Sequence, residues 1–216
     1  MRVGILGGTG PAGCAVALRL ASVGIDVVIG SRSAERAADI CTQLNQRWPD
    51  RALPLAGADN AGAASAELVI VATPWDAASS TAASVAAHLG DKVVISMANA
   101  VAKVGDHLEP LTLSRGSVAQ GVQSAVPEAL VAATFHHLPA RALADIDSTL
   151  DADVLVCSDH QRATEESIDL IGKIPGLRGL DAGPLANATP IETFTTVLLH
   201  LNRRYKTRTA PRFTGI

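Results

Sequence analysis

Aromatic side chains make up only 3% of this 216-residue chain, with a single tyrosine. A core with so few rings has to be closed by small aliphatic residues, and 48% of the chain is apolar. Such a composition suits helices lying close on a sheet in an α/β protein. Cysteine is scarce as well. Cys14, Cys41 and Cys157 are odd in number and far apart, so they form neither a disulfide framework nor a metal-ligand spacing, and they read as reduced thiols of a cytoplasmic protein. No apolar run approaches the roughly 20 residues of a membrane helix. The N-terminus lacks a basic region leading into an apolar stretch and opens directly on a strand, which predicts no signal peptide. Eighteen Lys and Arg against 21 Asp and Glu leave a net charge of −3, so nothing in the bulk composition favours nucleic acid or an anionic membrane.

What the chain does have comes first. Residues 3–13 read Val-Gly-Ile-Leu-Gly-Gly-Thr-Gly-Pro-Ala-Gly, a short apolar strand running into a glycine-rich turn, and a helical pattern follows from Cys14 to Val23. The spacing Gly8-x-Gly10-x-x-Gly13 is the dinucleotide-binding pattern. Its first glycine permits the tight turn, the second lets backbone approach a pyrophosphate, and the third lets helix pack on strand. The helix N-terminus then presents free N–H groups and a positive dipole end to the phosphates. Gly7, Thr9, Gly10, Pro11 and Ala12 are therefore expected at the cofactor.

The second strand, Ile25 to Gly30, ends in Ser31-Arg32. Arg32 stands at about the 20-residue interval where an NAD-binding chain carries the acid that holds the ribose 2′-hydroxyl. A guanidinium there pairs instead with a 2′-phosphate. Ser31 adds a hydroxyl, and Arg36, one helical turn on, adds a second cation. Cations are disfavoured at a helix N-terminus, so two of them there point to a bound anion and to NADP.

Strand and helix patterns alternate along the chain. Ala34 to Arg47 reads as helix, Ala52 to Ala56 as a short strand, Asp59 to Ala66 as a helical turn, and Leu68 to Ala72 as a buried strand. Thr73-Pro74-Trp75-Asp76 opens a helix to about Leu89, and Lys92 to Met97 is a fifth strand. This order predicts a doubly wound parallel sheet with right-handed crossovers, of Rossmann type. Beyond residue 110 the pattern loosens: helix at Ser117–Ser124, strands at Leu130–Phe135, Asp153–Cys157 and Leu177–Asp181, helix at Ala163–Ile174, and a last helix ending near Tyr205. The expectation is an NADP-binding domain over residues 1–135 and a smaller C-terminal α/β portion over 136–216, with a cleft above the carboxyl ends of the strands.

No catalytic constellation is visible: there is no metal-spaced His/Cys set, no Gly-x-Ser-x-Gly elbow and no Tyr-x-x-x-Lys pair. An NADP enzyme without an evident acid or base suits a partner that is itself a redox cofactor. Five segments carry a closer likeness: Gly7-Gly8-Thr9-Gly10, Gly30-Ser31-Arg32, Thr73-Pro74-Trp75, Phe135-His136-His137-Leu138-Pro139-Ala140 and Leu180-Asp181-Ala182-Gly183-Pro184-Leu185. Together they resemble the NADPH-dependent F420 reductases over nearly the whole chain. Two departures, Arg36 for a lysine and a proline-poor Ser96-Met97-Ala98-Asn99-Ala100 loop, are similar to the bacterial branch.

The resemblance implies hydride transfer between NADP(H) and the deazaflavin coenzyme F420, with nicotinamide and deazaflavin stacked in a cleft that residues 136–216 close. It implies that Thr9 to Ala12, Ser31, Arg32 and Arg36 hold NADP, while Asn99, Ala100, Val101, His136, Pro139 and Ala140 surround the stack. Thr73, Pro74, Trp75, Gly183 and Asn187 complete the expected set, with His136 as an orienting or polarising group and no essential acid or base. Read from the residues alone, His136 and His137 fit strand-end histidines bonded to backbone, Trp75 a helix staple, and Asn187 a cap. Two other functions stay open: an NADP-dependent reductase of an imine or ferric chelate, and a non-catalytic NADP sensor. A homo-oligomer, a dimer, is expected. After Thr193 the chain has no acid, and Arg203, Arg204, Lys206, Arg208 and Arg212 offer a cationic cluster to the F420 tail, to a dimer contact or to solvent.

Overall fold

Strand β1 (Arg2–Leu6) is buried from its second residue onward, as a strand covered on both faces must be. In the computed structural model, which describes residues 1–216, it leads into helix α1 (Pro11–Ala21), whose first position is proline. There φ is already set for a helix and the missing N–H is not needed. A Cβ on Gly13 would lie 2.6 Å from the Gly8 Cα, so only glycine lets α1 pack this tightly on the turn. Strand β2 (Asp26–Ser31) follows, then helix α2 (Ala34–Arg47), capped by the Ser33 hydroxyl accepting from the Arg36 N–H at 3.2 Å.

The remaining elements are β3 (Leu55–Asp59), α3 (Asn60–Ala64), β4 (Leu68–Val71), α4 (Trp75–Ser84), β5 (Val93–Ser96), β6 (Val101–Val104), β7 (His107–Pro110), α5 (Val118–Ala125), β8 (Leu130–Ala133), α6 (Ala140–Leu143), β9 (Ala152–Ser158), α7 (Gln161–Gly172), β10 (Leu177–Asp181) and α8 (Ala188–Tyr205). Eight strands form one sheet in the order β10-β9-β8-β5-β4-β1-β2-β3. The run from β3 to β8 is parallel, as the alternating pattern predicts. Helices α1, α2 and α7 cover one face with Leu18, Leu44 and Ile171, and α4 and α5 cover the other with Ala78 and Val122. This is the doubly wound α/β architecture.

Three features were not legible in the pattern. The third strand is Leu55–Asp59 rather than Ala52–Ala56, because its register on β2 runs from Leu55 opposite Val27 to Asp59 opposite Ser31. Gly57 fits only there, since a Cβ at that position would strike the α2 backbone at Ala38. Strands β6 and β7 form a separate antiparallel hairpin, turned at Asp106 and at Gly105 with φ +57. Finally, β9 runs antiparallel to β8 and overlaps it only at Ala132–Ser158 and Ala133–Cys157. Most of β9 therefore extends past the carboxyl end of β8, carrying β10 with it, and builds a wall above the strand ends.

That wall is anchored by buried charges. Arg19 of α1, 4% exposed, donates to the carbonyls of Ala142, Leu143, Asp145 and Ser148 and so satisfies the open C-terminal end of α6. Asp153 of β9 takes a two-pronged bond from Arg178 at 2.8 and 2.9 Å and accepts the Phe213 N–H at 2.5 Å. Its carboxyl is held down to about 2, first by Arg178.

Candidate active site

The glycine turn after β1 is made from backbone geometry. Gly7 has φ +65, and a side chain there would strike Thr73, so both conformation and space demand glycine. The Gly8 N–H donates to Gly30 O at 2.9 Å, joining the turn to the end of β2. Beyond β2, Ser31 is buried, whereas Arg32 and Arg36 are exposed and belong to no ion pair. Two guanidinium groups without a carboxylate, next to a hydroxyl, form a receptor for a phosphate.

The turn, this cationic corner and the ends of β4 and β5 surround one cleft of about 950 Å³. It lies outside the carboxyl ends of the parallel strands, where open α/β sheets take ligands. Of the expected residues, Gly7, Thr9, Gly10, Pro11, Ala12, Ser31, Arg32, Arg36, Thr73, Pro74, Trp75, Asn99 and Ala140 line it. Ala100, Val101, His136, Pro139, Gly183 and Asn187 do not. Ala100 is buried behind it, Val101 opens β6, and Pro139 precedes α6. Gly183 and Asn187 form a turn in which the Asn187 amide donates to Ala182 O at 2.7 Å, so it caps nothing with its side chain. Sequence reading missed Asn60, Ser33, Met97, Ser80 and Thr81, which also line the cleft. Asn60 carries no usable local signal, because the sequence pattern ends the strand before it at Ala56 rather than at Asp59, and its partner Gly7 is remote in sequence.

Beside the cleft the structure gathers buried polar atoms with no partner in the protein: Thr73 Oγ1, Ser96 Oγ, Asn99 Oδ1, Thr134 Oγ1 and both ring nitrogens of His136. They stand at or just beyond the ends of β4, β5 and β8. Each such atom costs on the order of 1–3 kcal/mol if it stays unpaired, so a cluster of them fits a polar ligand. Phe135, fully buried, has φ +63, a strained value for a bulky residue, and this turns the chain sharply before His136. His136 is 5% exposed, and burial, reinforced by the adjacent His137, pushes its pKa down to about 3. Burial likewise takes His137 down to about 4. The two rings meet edge to face at 5.0 Å, and His137 Nε2 accepts the Leu155 N–H at 3.1 Å. Both are neutral imidazoles at neutral pH, able to orient or polarise but not to carry a charge.

The basic C-terminal end does not form one cluster. Arg208 pairs with Asp145, Arg212 with Asp151 and Asp153, and Arg203 bonds the Asp106 carbonyl; Arg204 and Lys206 pair with no acid.

Residues 2–100 match the family model described as NADP oxidoreductase, coenzyme F420-dependent. Among curated proteins, the F420-dependent NADP reductase of Methanothermobacter marburgensis is 36% identical, over 97% of this chain and 96% of its own. That of Methanocaldococcus jannaschii is 34% identical, over 100% and 99%. Among solved structures, one from Arthrobacter sp. FB24, provisionally described as an F420-dependent NADP reductase, superposes with TM-score 0.80 at 25% identity, over 95% of both chains.

Proposed function

We propose, on the premise that this chain belongs to the F420-dependent NADP reductase family, how its residues divide the labour of hydride transfer between NADP(H) and coenzyme F420. One observation carries the reading: a glycine turn and an acid-free Ser31-Arg32-Arg36 corner open on a cleft that Thr73 and Asn99, each with a buried side-chain oxygen unpaired in the protein, line at the ends of β4 and β5. The glycine turn takes the pyrophosphate, and the corner takes the 2′-phosphate. The nicotinamide end reaches toward Thr73 and Asn99, and Trp75 and Ala140 flank the space left for the deazaflavin. The chain from His136 on, through the β9–β10 wall, closes this half of the cleft.

The bound cofactors supply the redox chemistry. The protein binds both, sets their approach, excludes water and offers neutral hydrogen-bonding groups. His136, neutral and buried, stabilises charge on the deazaflavin as a dipole rather than as an acid. A cytoplasmic homodimer is the assembly in which we place the enzyme; no helix is long and apolar enough to cross a membrane. The test mixes protein, NADPH and oxidised F420 and follows the long-wavelength deazaflavin absorbance. Bleaching is expected. Retained NADPH binding without bleaching would overturn the reading and leave reduction of an imine or ferric chelate, or an NADP sensor.

A further inference from the structure

Asn60 has no place in the division of labour above, yet it touches the centre of the nucleotide turn. It opens α3 immediately after β3, whose register sets Ala58 opposite Gly30 and Asp59 opposite Ser31. Asp59 spends its carboxylate capping α3 on the Gly62 N–H at 2.7 Å, leaving the next side chain free to face inward. Gly30 makes the approach possible, since a Cβ there would lie 2.7 Å from Ala63 Cβ and 3.0 Å from the Asn60 amide oxygen. In the space so left, Asn60 Oδ1 accepts the Gly7 N–H at 3.2 Å.

That bond fixes the amide. A backbone N–H only donates, so the Asn60 oxygen must face Gly7 and the NH2 must face the other way. The Asn60 NH2 donates to nothing in the protein, and the residue lines the cleft together with Thr9, Gly10, Ser31 and Arg32. We infer that Asn60 works with both ends of its amide: the oxygen holds the Gly7 turn in shape, and the NH2 donates to an oxygen of the adenylate half of the dinucleotide. Asn60 is thus a positioning and contact residue on the third strand's end, opposite the cationic corner. The inference rests on the NADP reading of the cleft and not on the identity of the hydride acceptor.

The test compares Asn60→Asp and Asn60→Ala with the unaltered protein, by titration with NADPH and with 2′,5′-ADP, and by thermal unfolding. Aspartate keeps an acceptor for Gly7 but has no NH2, so a residue that merely shaped the turn would be rescued by it. The expected result is that both variants melt normally and lose about tenfold in affinity for both ligands. The Asp variant should keep that loss near 1 M salt, where the screening length is only about 3 Å and charge repulsion has faded. Wild-type affinity in either variant overturns the inference, as does an Asp defect that salt abolishes. Loss for NADPH but not for 2′,5′-ADP overturns the adenylate assignment. If Asn60→Asp fails to fold, wild-type affinity in Asn60→Ala still overturns the inference. Wild-type protein that binds NADPH but leaves F420 oxidised would sink the proposed reaction while leaving this binding comparison intact.

Discussion

Asn99 donates its side-chain amide to the main-chain carbonyl of His136 at 2.7 Å, tying the loop after β5 to the loop after β8. The bond crosses between neighbouring strands and leaves Asn99 Oδ1 buried without a protein partner. With Phe135 at φ +63 on one side and His137 bonded to β9 on the other, it holds the His136 backbone from three directions. Asn99→Ala should slow hydride transfer by roughly tenfold, the scale of one hydrogen bond, while NADPH affinity changes little. Stopped-flow single turnovers beside equilibrium titration separate the two; an affinity loss equal to the rate loss would make Asn99 a binding residue only.

Cofactor choice is set at the end of β2. Arg32→Ala is expected to weaken NADPH binding on the order of tenfold to a hundredfold, as for a charged hydrogen bond, and to leave NADH binding nearly unchanged. Equal losses for the two nucleotides in parallel titrations would remove the 2′-phosphate from this corner.

Arg19 tests the wall. Its guanidinium is buried with four carbonyls as partners and no carboxylate among them. Arg19→Leu leaves those carbonyls unpaired and should destabilise the protein by on the order of 3 kcal/mol, about 6–12 °C in melting temperature for a chain of this size. A shift under a degree or two in a thermal melt would mean that water replaces the guanidinium at no cost.

How much of this was legible in the sequence follows from range. The glycine turn, the β2 cations and the parallel order of the first strands are local signals, each carried by a few neighbouring residues, and they stand where the sequence places them. The offset of β3 was not local: Gly57 fits only against Ala38 of α2. The antiparallel β9 was not local either, because it depends on Phe135 turning the chain and on His137 pairing with Leu155. Asn60 was overlooked for the same reason, since its partner, Gly7, is remote in sequence. Arg19 carries no local signal of its role, because the carbonyls it satisfies lie more than 120 residues away.

Glu192 of α8 is 5% exposed, and its carboxylate accepts the Val118 and Ala119 N–H groups at the start of α5. Burial outweighs those bonds and raises its pKa to about 7 from an ordinary 4.5. A raised folded pKa means that the folded state binds the proton more tightly. The stability it contributes is whole below about pH 4.5 and is lost as pH rises to about 7. His136 and His137 act in the opposite sense: depressed to about 3 and 4, they favour the fold above about 6.5 and withdraw that support as pH falls. Glu192→Gln should therefore make stability fall more steeply with acid between pH 7 and 4.5. Urea midpoints across that range check it; an unchanged slope would mean that Glu192 titrates normally.

The last prediction concerns how the hydride moves. His136 is the polar side chain whose two ring nitrogens are both buried and without a protein partner, and with a pKa near 3 it is a neutral imidazole at neutral pH, with one N–H to donate as a hydrogen bond and no imidazolium proton. A neutral imidazole fixed by Asn99 at its carbonyl and by His137 at its ring can only orient or polarise. Catalysis then rests on holding donor and acceptor carbons at near-attack distance, roughly 3–3.5 Å. His136→Ala should lower the single-turnover rate by about tenfold to a few hundredfold, within the range of one lost stabilising dipole. The rate should stay flat in pH from about 5 to 8 in both proteins, because no group of ordinary histidine pKa takes part. Ala140→Trp, which fills the stacking space, should hurt more while NADPH still binds. Deuterating each C4 face of NADPH in turn identifies the face that transfers and reports whether the chemical step is being observed. Should His136→Ala abolish transfer with both cofactors bound, or should the wild-type rate follow an ionisation near pH 6.5 that His136→Ala removes, His136 would be an essential acid or base and the positioning account would fall.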